Sequence, residues 1–402
     1  MTDGKISISA ILGILIYHLA FVNLYAQFIP WYRDFRLILT VIIGALLFRY
    51  MKIFIRAEYH NFNFILLLFF AVIMFSTFHG RRFNNGYWPD TLLYAVTILE
   101  LFLCFEYFNY RNSVNQIMNI FYRLTFAYCI LTDLIMFFYP VYITREWGEK
   151  YYYYFIGDKF DVVYFHMLLI ALFYIQCNFE KLKNRIMLVF LFVLLGFVSI
   201  YTECTTGVFG GIVLAITFIL KDWFDNISRK PWATIIYMLF CGSFLILNSA
   251  VLSIPIVQNF VENVLHESIT LTGRTNIYSK VWFISKSPWW GFGFDNNNPL
   301  TQHYIGVGDV QNGMLDCIVS YGVIGTVLML ILVVLVIRKG ALKSSNALMA
   351  LIYAFITLSM VEITFRSLFF AVLAMVAFAW NSLYDTDKYD KMEDNLMNFD
   401  YL

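Results

Sequence analysis

Apolar runs of about twenty residues recur along the whole 402-residue chain, and they constrain the fold more than any other feature. A helix needs roughly 20 predominantly apolar residues to cross the hydrocarbon of a bilayer. Inside lipid the backbone must satisfy its own hydrogen bonds, which leaves helices and closed barrels. A barrel would show short alternating segments, whereas the runs at 6–25, 233–252 and 313–337 are continuous. Charged residues make up 14% of the chain, against about a quarter in a soluble domain. The expected class is therefore an all-α polytopic membrane protein with about twelve transmembrane helices. One transmembrane domain covers residues 1–384, and a polar acidic tail covers 385–402.

Basic residues set the expected orientation. Alternate connections carry Arg49, Lys52 and Arg56, then Lys181, Lys183 and Arg185, then Arg338, Lys339 and Lys343. These belong on the cytoplasmic side, together with both termini. The first run follows Lys5 and has no small-residue cleavage site, so it reads as an uncleaved helix. The longest polar interval, 255–311, then faces outward, before the tenth span. Outward connections also hold Arg33, Arg81, Arg82, Arg145, Arg274 and Arg366. Positive charge is disfavoured on that side, so these arginines need a reason, and binding an anion is one.

Several function classes lose ground on composition. A net charge of +1 leaves no electrostatic footprint for nucleic acid. The six cysteines are scattered, with no C-x-x-C, which is neither a disulfide framework nor a zinc site. No metal or other cofactor is expected. Few ionisable residues fall in span centres, Glu100 and Asp133 being the nearest cases, and no inverted repeat is apparent. An ion-coupled transporter would be expected to show both.

The outward interval holds most of the residues that could do chemistry. Residues 256–266 have apolar positions at helical spacing and suit a short surface helix. Gly273 breaks the chain, Thr272 or Thr275 can cap, and a helix is expected over 276–285, ending before Pro288. Its inner face would be Ile277, Tyr278, Val281, Trp282 and Ser285. Arg274 stands at the helix start, where free N–H groups favour an anion and a guanidinium adds bidentate donors for phosphate. The plainer alternative is an arginine that pins the loop to a carbonyl or a lipid headgroup. Trp289 and Trp290 suit interfacial anchoring, or stacking on sugar faces. His303 is either structural or a general base near pH 7. Gln311 and Asn312 lead into the tenth span, where Gly322 and Gly325 would let helices approach closely.

Taken together, Gly273-Arg274, Trp282, Pro288, Gly291-Phe292-Gly293, Gln311-Asn312 and Gly322-Val323-Ile324-Gly325 resemble the C-terminal signature of the O-antigen ligase and Wzy-type polysaccharide polymerase family. The run Cys204-Thr205-Thr206-Gly207, preceded by Glu203, resembles an earlier family segment, but Thr205 stands where that segment has arginine. Gln311 likewise replaces the usual histidine, and glutamine cannot take a proton. The resemblance implies inverting, metal-independent glycosyl transfer at the outer face of a bacterial plasma membrane. Donor and acceptor would be glycans on undecaprenyl pyrophosphate, with flippase and chain-length regulator proteins as further partners. It implies Arg274 as the phosphate ligand and His303 or Glu203 as the base. Arg366, Arg81 or Arg82 would replace the missing arginine, and Gln311, Asn312 and Trp282 would bind substrate. A ligase moving finished polymer to another acceptor shares this chemistry. A flippase for lipid-linked sugars is the reading from a different class.

Overall fold

The computed structural model describes residues 7–24, 28–54, 60–80, 88–144, 150–177, 180–263, 274–294, 297–306, 310–340 and 346–378. The chain is predominantly helical. It opens with α1 (Ile8–Ala20), α2 (Tyr32–Phe48), α3 (Met51–Phe54), α4 (His60–Gly80), α5 (Trp88–Tyr110) and α6 (Val114–Phe138). A hairpin of β1 (Val141–Thr144) and β2 (Lys150–Tyr153) follows. Next come α7 (Lys159–Gln176), α8 (Leu182–Tyr201), α9 (Thr205–Ile219), α10 (Lys221–Ser228), α11 (Pro231–Leu252) and α12 (Pro255–Asn263). The chain continues through α13 (Arg274–Ser279), a 3-10 turn (Val281–Lys286), α14 (Asn297–Tyr304), α15 (Gly313–Gly340), α16 (Asn346–Leu358) and α17 (Ser367–Phe378).

Among the described residues, six helices are long and apolar enough to cross a membrane, namely α4, α5, α6, α7, α8 and α15. The outer face of α8 shows why they suit lipid. Ile186, Val189, Phe190, Val193, Phe197 and Ile200 follow a helical repeat, and all are exposed. In water such a stripe would be a large unpaid hydrophobic patch. The opposite face buries Leu191, Leu195 and Val198 against the bundle.

Three helices form the centre. Every residue from Ala347 to Leu358 in α16 is buried, as is every residue from Phe369 to Phe378 in α17 and from Val162 to Phe173 in α7. A helix apolar all round belongs in the interior of a large bundle. The two-stranded hairpin is an addition to the all-α expectation. Its antiparallel register sets Val141 opposite Tyr153 and Tyr142 opposite Tyr152, a pairing that β-branched and aromatic residues favour.

The helix expected over 276–285 does not run through. Alpha winding stops at Ser279, and the chain tightens into 3-10 geometry from Val281. Three residues per turn instead of 3.6 rotate the register. Ile277 and Tyr278 are buried as expected, but Phe283 takes the next inward place and Trp282 turns outward, 61% exposed.

The run Pro288–Gly293 is laid against a break in α15. Gly322 there has φ +66° and ψ −173°. The amides of Phe292 and Gly293 donate to the carbonyls of Val319 and Ser320, at 2.7 and 2.9 Å. The amides of Val323 and Ile324 donate back to Pro288 and Trp289, at 2.8 and 3.2 Å. A Cβ on Gly322 would stand 2.3 Å from the Trp289 carbonyl oxygen, and one on Gly80 would overlap Phe292. These glycines permit backbone to touch backbone.

Between α16 and α17 the chain turns through Ser359–Arg366 without regular structure. Buried irregular backbone needs partners for its polar groups. Here Gly313 N–H donates to Ser359 O at 2.8 Å, and the Asn312 side-chain amide donates to Met360 O at 3.0 Å. The Tyr278 hydroxyl lies 2.9 Å from Gln311 O and 3.1 Å from Met360 O. Thr364 Oγ1 donates to Phe355 O at 2.8 Å. The hinge is thus held from α13 and from the start of α15, and it presents Glu362 and Arg366.

Candidate functional site

Glu362 and Arg366 open onto a polar cavity of about 250 Å³ at one end of the bundle. Asn23 enters it from beyond α1, Arg36 from α2, and Asp158, Asp161 and Tyr164 from the start of α7. Two arginines and three carboxylates therefore share one space.

The α7 pair is fixed by a reciprocal cap. Asp158 is the N-cap residue, and its Oδ1 accepts from the amides of Phe160 and Asp161 at 2.9 and 3.1 Å. Asp161 Oδ2 accepts from Asp158 N–H at 3.3 Å. One oxygen of each carboxylate is thereby immobilised, and the other stays outside the cap. The motif aligns both groups with the positive end of the α7 dipole, which favours negative charge.

The arginines are only partly satisfied by protein. Arg36 Nη2 donates to Leu19 O at 3.2 Å, and its buried Nε has no partner among the described residues. The Arg366 guanidinium projects into the cavity, where water reaches it although protein surrounds it. Among the described residues it makes no hydrogen bond or ion pair. Burial alone would lower its proton affinity. Asp316, Asp161, Asp158 and Glu362 more than offset that, and its pKa is raised above the ordinary arginine value. Both arginines are therefore fixed positive charges with donor capacity left over. Guanidinium forks suit phosphate, while carboxylates suit sugar hydroxyls or a transferred proton.

The residues singled out in the sequence fall in several places. Arg366 lines the cavity, and so does Glu362, four residues before it. In a continuous helix that spacing would put both on one face; the chain between them is not helical, yet both reach the same space. Gln311 and Asn312 brace the hinge. Gln311 has φ +46°, and Asn312, fully buried, also caps α15 by accepting from Leu315 N–H at 2.9 Å. Glu203 lies in the left-handed turn between α8 and α9, and its carbonyl accepts from Lys159 Nζ at 2.9 Å. Its side chain is exposed and does not line the cavity. Cys204 beside it is buried, and burial pushes its thiol up to about 12. Trp282 is exposed, and His303 is exposed on α14 beside Tyr304, away from the cavity lining. Arg274 begins α13, but its side chain lies outside the described residues, as do Arg81, Arg82 and Arg145. Arg33, one of the outward arginines that needed a reason, pairs with Asp90 at 2.9 Å.

Sequence reasoning missed Arg36, Asp158 and Asp161. The aspartates carry a readable signal, since an acidic N-cap with a second acidic residue three places on marks a capping box. Arg36 carries none, because it stands in a charged helix start beside Arg33 and Asp34. Comparison with known proteins found no matching family model, no matching curated protein and no matching solved structure.

Proposed function

We propose that the protein is a polymerase of lipid-linked oligosaccharide repeats, acting by inverting glycosyl transfer at the outer face of a bacterial plasma membrane. The observation that carries this reading is the cavity itself, where Arg36 and Arg366 share a space with Asp158, Asp161 and Glu362. In this reading about twelve spans cross the bilayer with both termini cytoplasmic, so the cavity and the 255–311 interval lie together on the outer side.

The chemistry needs positive charge for a leaving pyrophosphate and a base for the acceptor hydroxyl. Arg366 and Arg36 supply the first, with Arg274 as a further ligand. Glu362 or Asp161 supplies the second, in place of the histidine that Gln311 replaces. The acceptor oxygen gives its proton to the carboxylate and bonds to the anomeric carbon. The bond from that carbon to the phosphate oxygen breaks, and its electron pair leaves with undecaprenyl pyrophosphate. The arginines are permanent cations, so no metal is required for charge stabilisation.

A ligase that passes finished polymer to another acceptor would use the same groups. A flippase would draw instead on ionisable residues within the spans, such as buried Glu100 and the Asp133–His166 pair at 3.2 Å, and neither lines the cavity. The deciding experiment combines a deletion strain with purified protein supplied with a lipid-linked repeat. A polymerase leaves single repeats on the surface when deleted and makes a ladder of products in vitro. Long chains retained on undecaprenyl carrier would indicate the ligase, and repeats trapped on the inner leaflet the flippase.

A further inference from the structure

We propose that the outward face of Trp282 is a docking platform for sugar rings of the growing glycan, separate from the cavity where the bond is made. The proposal rests on the glycosyl-transfer reading for its occupant, and on local geometry for the site.

Trp282 is held rather than loose. Its ring meets Tyr304 edge-on, with centroids 5.9 Å apart and planes at 69°. Tyr304 in turn stacks on fully buried Phe283, at 5.3 Å and 8°. Lys286 Nζ donates to the Tyr304 hydroxyl at 2.9 Å and stands 5.6 Å from the Trp282 ring centre. His303 packs edge-on against Tyr304 at 4.7 Å. Tyr304 and Lys286 thus meet an indole that remains 61% exposed, and Phe283 and His303 hold Tyr304 in turn. Rigid aromatic surface with hydrogen-bonding groups at its edge binds at low entropic cost. A sugar ring offers C–H groups to an aromatic face, and its hydroxyls would meet Lys286 and His303.

The surroundings argue against a lipid anchor. The exposed residues within four positions of Trp282 are Ser279, Lys280, Ser285 and Lys286, and those beside Tyr304 are Gln302, His303 and Gly306, none with an apolar side chain. Trp290 differs: it packs at 4.5 Å on Phe75, which belongs to a spanning helix and is itself 45% exposed. The platform lies at the cavity end of the bundle. The 3-10 turn continues from α13, whose Tyr278 holds Met360, two residues before Glu362.

The test uses the full-length protein in lipid nanodiscs, with chitotetraose, cellotetraose and maltotetraose as probes. Saturation-transfer NMR and tryptophan fluorescence would show binding of at least one probe, weakened about tenfold or more in Trp282→Ala and unchanged in Trp289→Ala. With a lipid-linked repeat, Trp282→Ala would make shorter products than wild type. Absence of binding by wild type up to about 10 mM overturns the proposal. So does equal binding by Trp282→Ala, or an unchanged product length. If wild type makes no polymer at all, the transfer reading fails, and the binding measurement still decides whether Trp282 holds sugar.

Discussion

The side-chain amide of Asn312 donates to the carbonyl oxygen of Met360 at 3.0 Å, while its Oδ1 accepts from Leu315 N–H at 2.9 Å. One buried residue thus caps α15 and fastens the hinge that carries Glu362 and Arg366. Asn312→Ala removes both bonds, leaving the buried Leu315 amide without its cap and the Met360 carbonyl with the Tyr278 hydroxyl alone. The expected loss is about 1–3 kcal/mol, read as a lower unfolding temperature in detergent. Asn312→Asp separates the two roles, since a carboxylate still caps but can no longer donate to Met360. It should be destabilised as well and, under the proposed function, should slow glycosyl transfer. If its activity and unfolding temperature match wild type, the Met360 bond does not position the hinge.

Gly322 carries a second expectation. Its φ of +66° with ψ −173° lies where an L side chain is strained, and a Cβ would come within 2.3 Å of Trp289 O. Gly322→Ala must either move the Pro288–Gly293 segment or straighten α15. Strain alone costs about 1–3 kcal/mol. Gly196 is the control, because a Cβ there meets nothing within 4 Å. Gly196→Ala should leave the unfolding temperature unchanged or slightly raised, and Gly322→Ala should lower it.

Cys204 tests whether the turn before α9 is closed. Burial pushes its thiol up to about 12, so at pH 8 about one molecule in ten thousand carries the reactive thiolate. The sign is that of an acid whose charged form is penalised: the group stays neutral until the pH approaches 12. Native protein treated with N-ethylmaleimide at pH 8 should leave Cys204 unmodified, as read by peptide mass spectrometry, while partly exposed Cys177 reacts. Rapid labelling of native Cys204 would show that the turn opens.

The six long apolar helices are legible in the sequence because lipid imposes a length and a composition that few other environments require. The outward stripe of α8 follows from the same rule. The hinge was not legible. Apolar sequence on both sides of Glu362 reads as two helices joined outside the membrane, and only the bonds from Tyr278, Asn312 and Gly313 show how the turn is held. Trp282 and Phe283 exchanged places because a 3-10 turn changes the period, and nothing in residues 276–286 marks that change. Arg366 could be nominated from its position alone. Arg36 could not, because its role depends on the start of α2 lining one cavity with the start of α7 and the turn before α17, a long-range arrangement that local pattern does not encode.

Arg36 and Arg366 provide the sharpest expectation for the site. Both line the cavity, and both keep donors that no described residue takes up. If they stabilise a leaving pyrophosphate, the interaction strengthens as negative charge develops, so its loss should appear in kcat more than in KM. Arg366→Ala and Arg36→Ala should each slow elongation about a hundredfold or more. Arg366→Lys keeps the charge but not the fork, and should fall between alanine and wild type. Arg33→Ala is the comparison within α2: Arg33 is already paired with Asp90 at 2.9 Å and is half exposed, so its loss should change elongation little. Equal damage from Arg33→Ala and Arg36→Ala would mean that α2 contributes general positive charge rather than a placed ligand. Wild-type rates in Arg366→Ala would remove the cavity from the catalytic mechanism altogether.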